Sequence, residues 1–301
     1  MNKYIIGGGL AGLVYAATHP DTIIITSEPS MVAKGINPLV LHYTPAVADW
    51  VEEILRSYHP STGSRVRRKT CVVEYAQPDG SYRPVVSAAL AREYFLKSRC
   101  LGYTERQFEP RLDTSFDFCD ISLGELEAAL RHAIGEKRIF HNKVTLITDE
   151  AIVLDGTIQF YYENLISTIP APLFFELYRG PKDHHHHFRW VTKSYVYAAG
   201  HVEIARAPRW MLYHEKEGYV YIPQRDVEPE GLIRFSNVGG GNIVAEFSGD
   251  PHPLAYACAK YGYFTAPLHG VKSPSPNIKF VGRFAEWNEE LLVHNLIERY
   301  A

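Results

Sequence analysis

The sequence predicts an α/β protein: a nucleotide-binding α/β unit joined to a second domain built on an antiparallel sheet plus helices. Three observations predict it. Lys3–Ile6 is a short apolar strand that runs into Gly7-Gly8-Gly9-Leu10-Ala11-Gly12, and that turn opens a helix through Ala17. Short apolar strands of the same kind return at Leu165–Ile169 and Asn277–Val281. Between them, from Ser194 to Ser248, apolar and polar residues alternate in brief runs split by Gly, Pro and charged turns.

The opening stretch carries the most chemistry. A second apolar strand, Thr22–Thr26, follows the helix, and Glu28 stands just past its end, 16 residues after Gly12. Strand, G-x-G-x-x-G, helix, strand and acid in this register form a dinucleotide-binding fingerprint of Rossmann type. Gly7 permits the tight turn, Gly9 lets the backbone approach a pyrophosphate, and Gly12 lets the helix pack close on the strand. The phosphates then face the N–H groups and positive dipole end of the helix. Glu28 is the candidate ribose-binding acid. A flexible glycine loop would explain neither the flanking strands nor the acid.

Further along, the prolines and Gly35 of Pro29–Pro38 predict a loop. Val47, Trp50, Val51, Ile54 and Leu55 recur at helical spacing, so Pro45–Tyr58 is predicted helical, with Thr44 as N-cap. Thr70–Tyr75 and Tyr82–Val86 suggest a hairpin, Ala88–Cys100 a helix, and Gly102–Cys119 shows no clear period. Ile121–Ile134 is predicted helical with Ser122 as cap. Strands are expected at Arg138–Phe140, Lys143–Thr148 and Ala151–Leu154, and Asp155-Gly156 is a hairpin turn returning through Thr157–Tyr161. A terminal helix is expected over Glu289–Tyr300. The nucleotide-fold pieces are interleaved with the other material. This predicts a discontinuous cofactor domain at 1–50, 120–175 and 275–301 and a substrate domain at 51–119 and 176–274.

Composition narrows the function classes. The 301 residues include 46% hydrophobic and 22% charged, ordinary for a soluble globular protein. A net charge of −3 gives no bulk reason to expect nucleic acid. The cluster Arg65, Arg67, Arg68 and Lys69 leaves a local basic patch open, though such a run is more often a solvated face. Cys71, Cys100, Cys119 and Cys258 lack C-x-x-C spacing and read as reduced thiols, not a disulfide frame or zinc site. No apolar run approaches the ~18 residues of a membrane span, and the apolar N-terminus is the nucleotide strand itself, not a signal peptide. A cytoplasmic protein is expected, with no membrane partner. Asp183 precedes His184-His185-His186-His187. Adjacent residues of an extended chain point to opposite sides, so the run reads as an exposed linker and no metal site is assigned.

Four blocks of residues resemble the FAD-dependent amine oxidoreductase group, with the motif pattern nearest to the UDP-galactopyranose mutase-like flavoproteins. The first is Gly7–Gly12 with Glu28. The second is Asn37–Thr44 followed by Val47 and Trp50. It is similar to the mutases' Gly-Pro-His, apolar residue, Phe-His-Thr segment, with His42 on the second histidine and Leu39 in place of the first. The third is Leu165-Ile166-Ser167-Thr168-Ile169-Pro170, like the family's apolar run, Ser/Thr, x, Pro. The fourth is Phe280–Trp287 followed by Val293–Ile297, like the C-terminal flavin motif of Gly-Arg, an aromatic and a helix.

The resemblance implies FAD as cofactor. Gly7, Gly9, Leu10, Ala11, Gly12 and Glu28 would hold its adenosine diphosphate end, with backbone groups of Val144 on the adenine side. Gly282 and Arg283 would follow the pyrophosphate and ribityl chain, and N–H groups at Leu292-Val293 would point at the flavin N1/O2 edge, where a helix N-terminus stabilises negative charge. Lys34 would be a charge partner near the flavin, or simply a loop lysine. His42 is the candidate catalytic residue, as a flavin-proximal hydrogen-bonding or acid–base group. A satisfied structural histidine is the alternative.

For a substrate, Tyr221, Tyr263 and Trp287 are candidate aromatic walls that would hold an amine, although any single one is more often an ordinary sheet or core aromatic. Arg234 is one of several arginines, with Arg206, Arg209 and Arg225, that would clamp a diphosphate. The implied function is oxidation or cleavage of a C–N bond in a small amine or amino-acid-like substrate. Small flavoenzymes of this group also resemble those of phage pathways that place amino-acid adducts on thymine in DNA, and the short chain is compatible with that. The alternative is a non-redox mutase-like isomerase acting on a nucleotide sugar.

Overall fold

The computed structural model describes residues 3–28, 40–60, 67–77, 79, 81–84, 87, 89, 115–180, 188, 190–198, 219–222, 232–239, 242–248, 260–267, 270–288 and 291–301. The chain divides into two compact units: Met1–Arg68 with Cys119–Arg189 and Pro267–Ala301, and Lys69–Phe118 with Trp190–Ala266.

The first unit is built on a five-stranded parallel sheet. Its strands are β1 (Lys3–Ile6), β2 (Thr22–Thr26), β7 (Ile139–His141), β11 (Asn164–Ser167) and β17 (Ile278–Phe280), in the spatial order β17-β11-β1-β2-β7. Counted along the chain this is the 3-2-1-4-5 order of a doubly wound nucleotide fold. The order reverses between β1 and β11, and ligands bind outside the carboxyl ends of strands at such a switch point.

The strands read as unbroken apolar runs because both faces of the sheet are covered. Ile5, Ile24 and Ile166 face one core with α1 (Leu10–Thr18), α2 (Ala48–Tyr58), α3 (Leu123–Ile134) and α5 (Val293–Tyr300). Tyr4, Ile6, Ile25, Leu165, Ile278 and Phe280 face a second core. That core is closed by α4 (Ala171–Leu177) and a three-stranded antiparallel sheet of β8 (Val144–Ile147), β9 (Ala151–Leu154) and β10 (Ile158–Tyr161). Each fully buried Ile or Leu in these layers is worth about 1.5–3 kcal/mol relative to exposure. The β9–β10 turn is the expected hairpin. Asp155 and Gly156 take φ of 49° and 78°, and Thr157 N donates to the Leu154 carbonyl at 3.0 Å.

The end of α1 farthest from the sheet's carboxyl edge is closed by one side chain. The Arg138 guanidinium donates to the carbonyls of Ala16 (2.9 Å), His19 (2.7 Å) and Thr22 (2.9 Å). It thereby ties the last turn of α1 to the start of β2, placing a cation at the helix C-terminus.

In the second unit β4 (Arg67–Ala76), β12 (Trp190–Ala198), β13 (Tyr219–Ile222), β14 (Leu232–Gly239), β15 (Asn242–Ser248) and β16 (Lys260–Pro267) form one sheet in the order β16-β12-β15-β14-β13-β4, with β5 (Tyr82–Arg83) paired on β4. Pairings β12–β15, β14–β15 and β13–β14 are antiparallel, as the alternation predicts. The β13–β4 pairing is parallel, so the sheet is mixed and not purely antiparallel. Among its described side chains, Ala245 and Phe247 are fully buried.

Two local expectations need correction. The helix expected from Ile121 begins at Leu123; Ile121 belongs to strand β6 (Ser115–Ser122), whose last four residues pair antiparallel with β3 (Val40–Tyr43). The terminal helix begins at Val293, not Glu289. Thr44 and Ser122 stand at helix starts without a side-chain capping bond; a 3-10 turn over Pro45–Val47 leads into α2. The predicted helix at Ala88–Cys100 and the loop at Pro29–Pro38 lie largely outside the described residues.

Candidate cofactor-binding site

The glycine turn sits at the carboxyl end of β1, beside the switch point. Gly7 has φ of +106°, a conformation that a side chain resists, and its N–H donates to the Ile25 carbonyl of β2 at 2.9 Å. A Cβ on Gly12 would collide with the Gly7 carbonyl oxygen, so the helix and the turn touch backbone to backbone. Gly9 is the N-cap of α1, and the first turn of that helix holds no acidic residue, which leaves its positive end to an anion.

Two threonines brace the turn. Thr168, just past β11, has its hydroxyl 3.0 Å from both the Ile6 and Gly7 carbonyl oxygens, while its N–H donates to Ile6 at 2.9 Å. Thr26, the last residue of β2, packs under Gly8. A Cβ there would lie 2.7 Å from the Thr26 hydroxyl oxygen. Gly8 is the unspecified position of the fingerprint, so its need for glycine is invisible in the motif.

The C-terminal block returns to the same place. Gly282 follows β17 with φ of +96°, and a Cβ on it would lie 2.6 Å from Cβ of Ala11 in the first turn of α1. Glu286 holds this loop. Its carboxylate accepts the Gly282 N–H at 3.1 Å and pairs with Arg299 at 3.1 Å, and its own N–H donates to the Gly282 carbonyl at 2.9 Å. The Phe284 carbonyl accepts from Ala171, which ties the loop to the start of α4. Helix α5 follows, N-capped by Leu292, whose N–H donates to Asn295 Oδ1 at 2.9 Å. Its first turn also lacks an acid. Burial pushes the His294 imidazole there below the ordinary histidine value, partly offset by Glu298.

The structure thus brings Gly7, Gly9, Leu10, Ala11, Gly12 and Gly282 together, with Arg283 next in the chain. Glu28 is exposed two residues past β2. Val144 opens β8 opposite Leu154, in the three-stranded sheet. His42 lies on β3 opposite Asp120 of β6. Trp287 is buried at φ of 52°, edge-on to Phe188 with centroids 5.4 Å apart. In the second unit Tyr221 is buried on β13, edge-on to Tyr82 at 5.6 Å. Arg234 lies on β14 opposite Glu246, and Tyr263 lies on β16. Lys34 and the His184–His187 run fall outside the described residues. Among the described residues no group of His, Cys, Asp and Glu is placed to hold a metal ion, and no helix is long and apolar enough to cross a membrane.

Sequence reasoning did not single out Gly8, Thr26, Thr168 or Glu286. Thr168 and Glu286 stand inside quoted motif blocks, but their partners are far away in the chain.

No protein-family model matches the chain, and no curated protein is a significant match to it. Its fold, however, is that of solved structures. A reduced UDP-galactopyranose mutase superposes with a TM-score of 0.59 at 13% identity, covering 98% of this chain and 93% of that one. A putrescine oxidase bound to putrescine gives 0.56 at 12% identity, covering 99% and 98%. The PF1083 protein of Pyrococcus furiosus gives 0.55 at 10% identity, covering 100% and 98%. The likeness is one of fold, and it is to the mutase and amine oxidase folds that the motif blocks resemble.

Proposed function

We propose that the carboxyl edge of the parallel sheet binds FAD, and that the protein is a flavin-dependent enzyme that oxidises or cleaves a C–N bond of a small amine or amino-acid-like substrate. The observation that carries the cofactor reading is the packing of Gly282 on Ala11. A glycine turn alone suits any nucleotide. A second glycine with positive φ, pressed on the first turn of the same helix, supplies a further close backbone approach beyond the pyrophosphate, as an extended dinucleotide requires. The side-chain-free positions Gly7, Gly8, Gly12 and Gly282 and the acid-free starts of α1 and α5 fit a polyanionic, flavin-bearing ligand.

In this reading Gly7, Gly9, Leu10, Ala11 and Gly12 hold the pyrophosphate and Glu28 the adenosine ribose. Val144 offers backbone groups to the adenine. Gly282 and Arg283 follow the ribityl chain, Leu292 and Val293 aim N–H groups at the flavin, and Lys34 adds a charge partner. The bound flavin supplies hydride acceptance from the carbon beside the amine. His42 is assigned hydrogen bonding or proton transfer beside it, and Tyr221, Arg234, Tyr263 and Trp287 are assigned to the substrate. An amine held as the neutral form against aromatic faces needs no strong protein base. The phage thymine-adduct substrate is a specific version of this reading. The mutase-like alternative is a non-redox isomerase of a nucleotide sugar; the UDP-galactopyranose mutase and the putrescine oxidase share the chain's fold over nearly their whole length alike.

Anaerobic mixing of the FAD-loaded protein with small amines and amino acids, followed by flavin absorbance, separates the two. Bleaching by one amine class supports C–N oxidation. Conversion of a nucleotide sugar only after prior reduction, with no net electron transfer, replaces it with the mutase reading. No spectral response and no isomerisation would sink both.

A further inference from the structure

We propose that Thr26 is the positioning residue that sets the Glu28 carboxylate for reading the adenosine ribose, and that its side chain is the reason Gly8 has none; this rests on the FAD reading above. Thr26 ends β2 and is only 4% exposed. Its Oγ1 accepts the Glu28 N–H at 3.2 Å, and its hydroxyl donates to the Glu28 carbonyl oxygen at 3.3 Å. One hydroxyl therefore engages both backbone groups of the acid and folds the chain as it leaves the strand, an ST-turn.

The other side of the same side chain is packed on the glycine turn. From the place a Gly8 Cβ would occupy, the Thr26 Oγ1, Cβ and Cγ2 lie at 2.7, 2.9 and 3.0 Å. Thr26 thus links the turn that takes the phosphates to the acid that takes the ribose. In an adenosine dinucleotide the separation of phosphate and ribose is covalently limited, so a protein that reads both must hold its two reading groups in fixed relation. Here a single buried threonine supplies that relation without touching the cofactor.

The test measures binding of FAD and of its 2′-deoxyadenosine analogue by quenching of flavin fluorescence, in the wild type, Thr26→Val, Thr26→Ser and Glu28→Gln. Valine keeps the shape and removes the hydroxyl; serine does the reverse. The wild type is expected to prefer FAD by roughly 10- to 100-fold, the range for one hydrogen bond to a charged group. Thr26→Ser keeps most of that preference. Thr26→Val and Glu28→Gln reduce it to about twofold or less, and Thr26→Ala reads the same quantity should the valine variant not fold. A wild-type preference retained in Thr26→Val would show that Thr26 only packs. One retained in Glu28→Gln would show that Glu28 does not read the ribose. Either overturns the inference while FAD binding stands. A wild type that binds neither compound overturns the flavin reading itself.

Discussion

Replacing Gly282 by alanine tests the packing that carries the cofactor assignment. The added Cβ would sit 2.6 Å from Cβ of Ala11, against the ~3.5–4.0 Å at which two carbons rest, so the loop and α1 must part by about 1 Å. Overpacking of this kind costs about 1–3 kcal/mol. Holding an L-residue at φ of +96° adds a similar amount. The shift falls on the first turn of α1, the proposed phosphate site, and FAD must push that turn back to bind, so about 3 kcal/mol of the cost appears as a loss in FAD affinity of roughly 100-fold. Titration of FAD into apo-protein, with thermal melts run beside it, reads both effects. Two controls locate the cause. Gly156→Ala also has positive φ (+78°) but meets nothing within 4 Å, so it lowers stability slightly and leaves FAD binding alone. Ala11→Gly added to Gly282→Ala removes the colliding carbon and restores part of the affinity. Wild-type affinity in Gly282→Ala, or no recovery in the double variant, would refute the argument.

Thr168→Val removes the donor to the Ile6 and Gly7 carbonyls and is expected to cost about 1 kcal/mol of stability with a severalfold weaker FAD affinity; unchanged affinity in the titration would show that the turn holds itself. Arg138→Met removes the guanidinium shared by two carbonyls at the end of α1 and one at the start of β2, so the melting temperature falls by an amount equivalent to about 2–3 kcal/mol while FAD affinity stays at the wild-type value. Burial, aided by Asp149, pushes the phenols of Tyr162 and Tyr178 well above the ordinary tyrosine range, and Tyr178 donates to Asp149 Oδ1 at 2.5 Å. Because these pKa values are raised on folding, their contribution is intact below the unfolded value of about 10 and is lost as pH rises beyond it. Melting temperature is therefore expected to fall above about pH 10, and less steeply in Tyr178→Phe; equal slopes would exclude that phenol.

What could be read from the sequence was local. The strand, glycine turn, helix and acid of the first residues are one contiguous signal, and the Asp155-Gly156 hairpin is set by two residues that tolerate positive φ. Strand β6 escaped for a physical reason. Its buried Cys119 and Ile121 alternate for only two steps before α3 begins, and Ser122 both ends the strand and occupies the N-cap position of the helix. With no turn residue between them, nothing local marks where the strand stops and the helix begins. The parallel pairing of β13 with β4 joins segments far apart in the chain, and an alternating pattern carries no strand direction. The glycine requirement at Gly8 is set by Thr26, and that at Gly282 by Ala11, so neither can be seen at the glycine itself. The candidate site was legible where its chemistry is written in consecutive residues, and illegible where it depends on what folds against them.

The most direct test of the account is the visible spectrum of the purified protein, before and after incubation with FAD and desalting, with the released cofactor identified by mass. The account predicts flavin absorbance that stays with the wild-type protein, in stoichiometric FAD, and is largely lost from Gly282→Ala. A colourless protein that takes up no FAD, or one that retains it equally well in both forms, would contradict it.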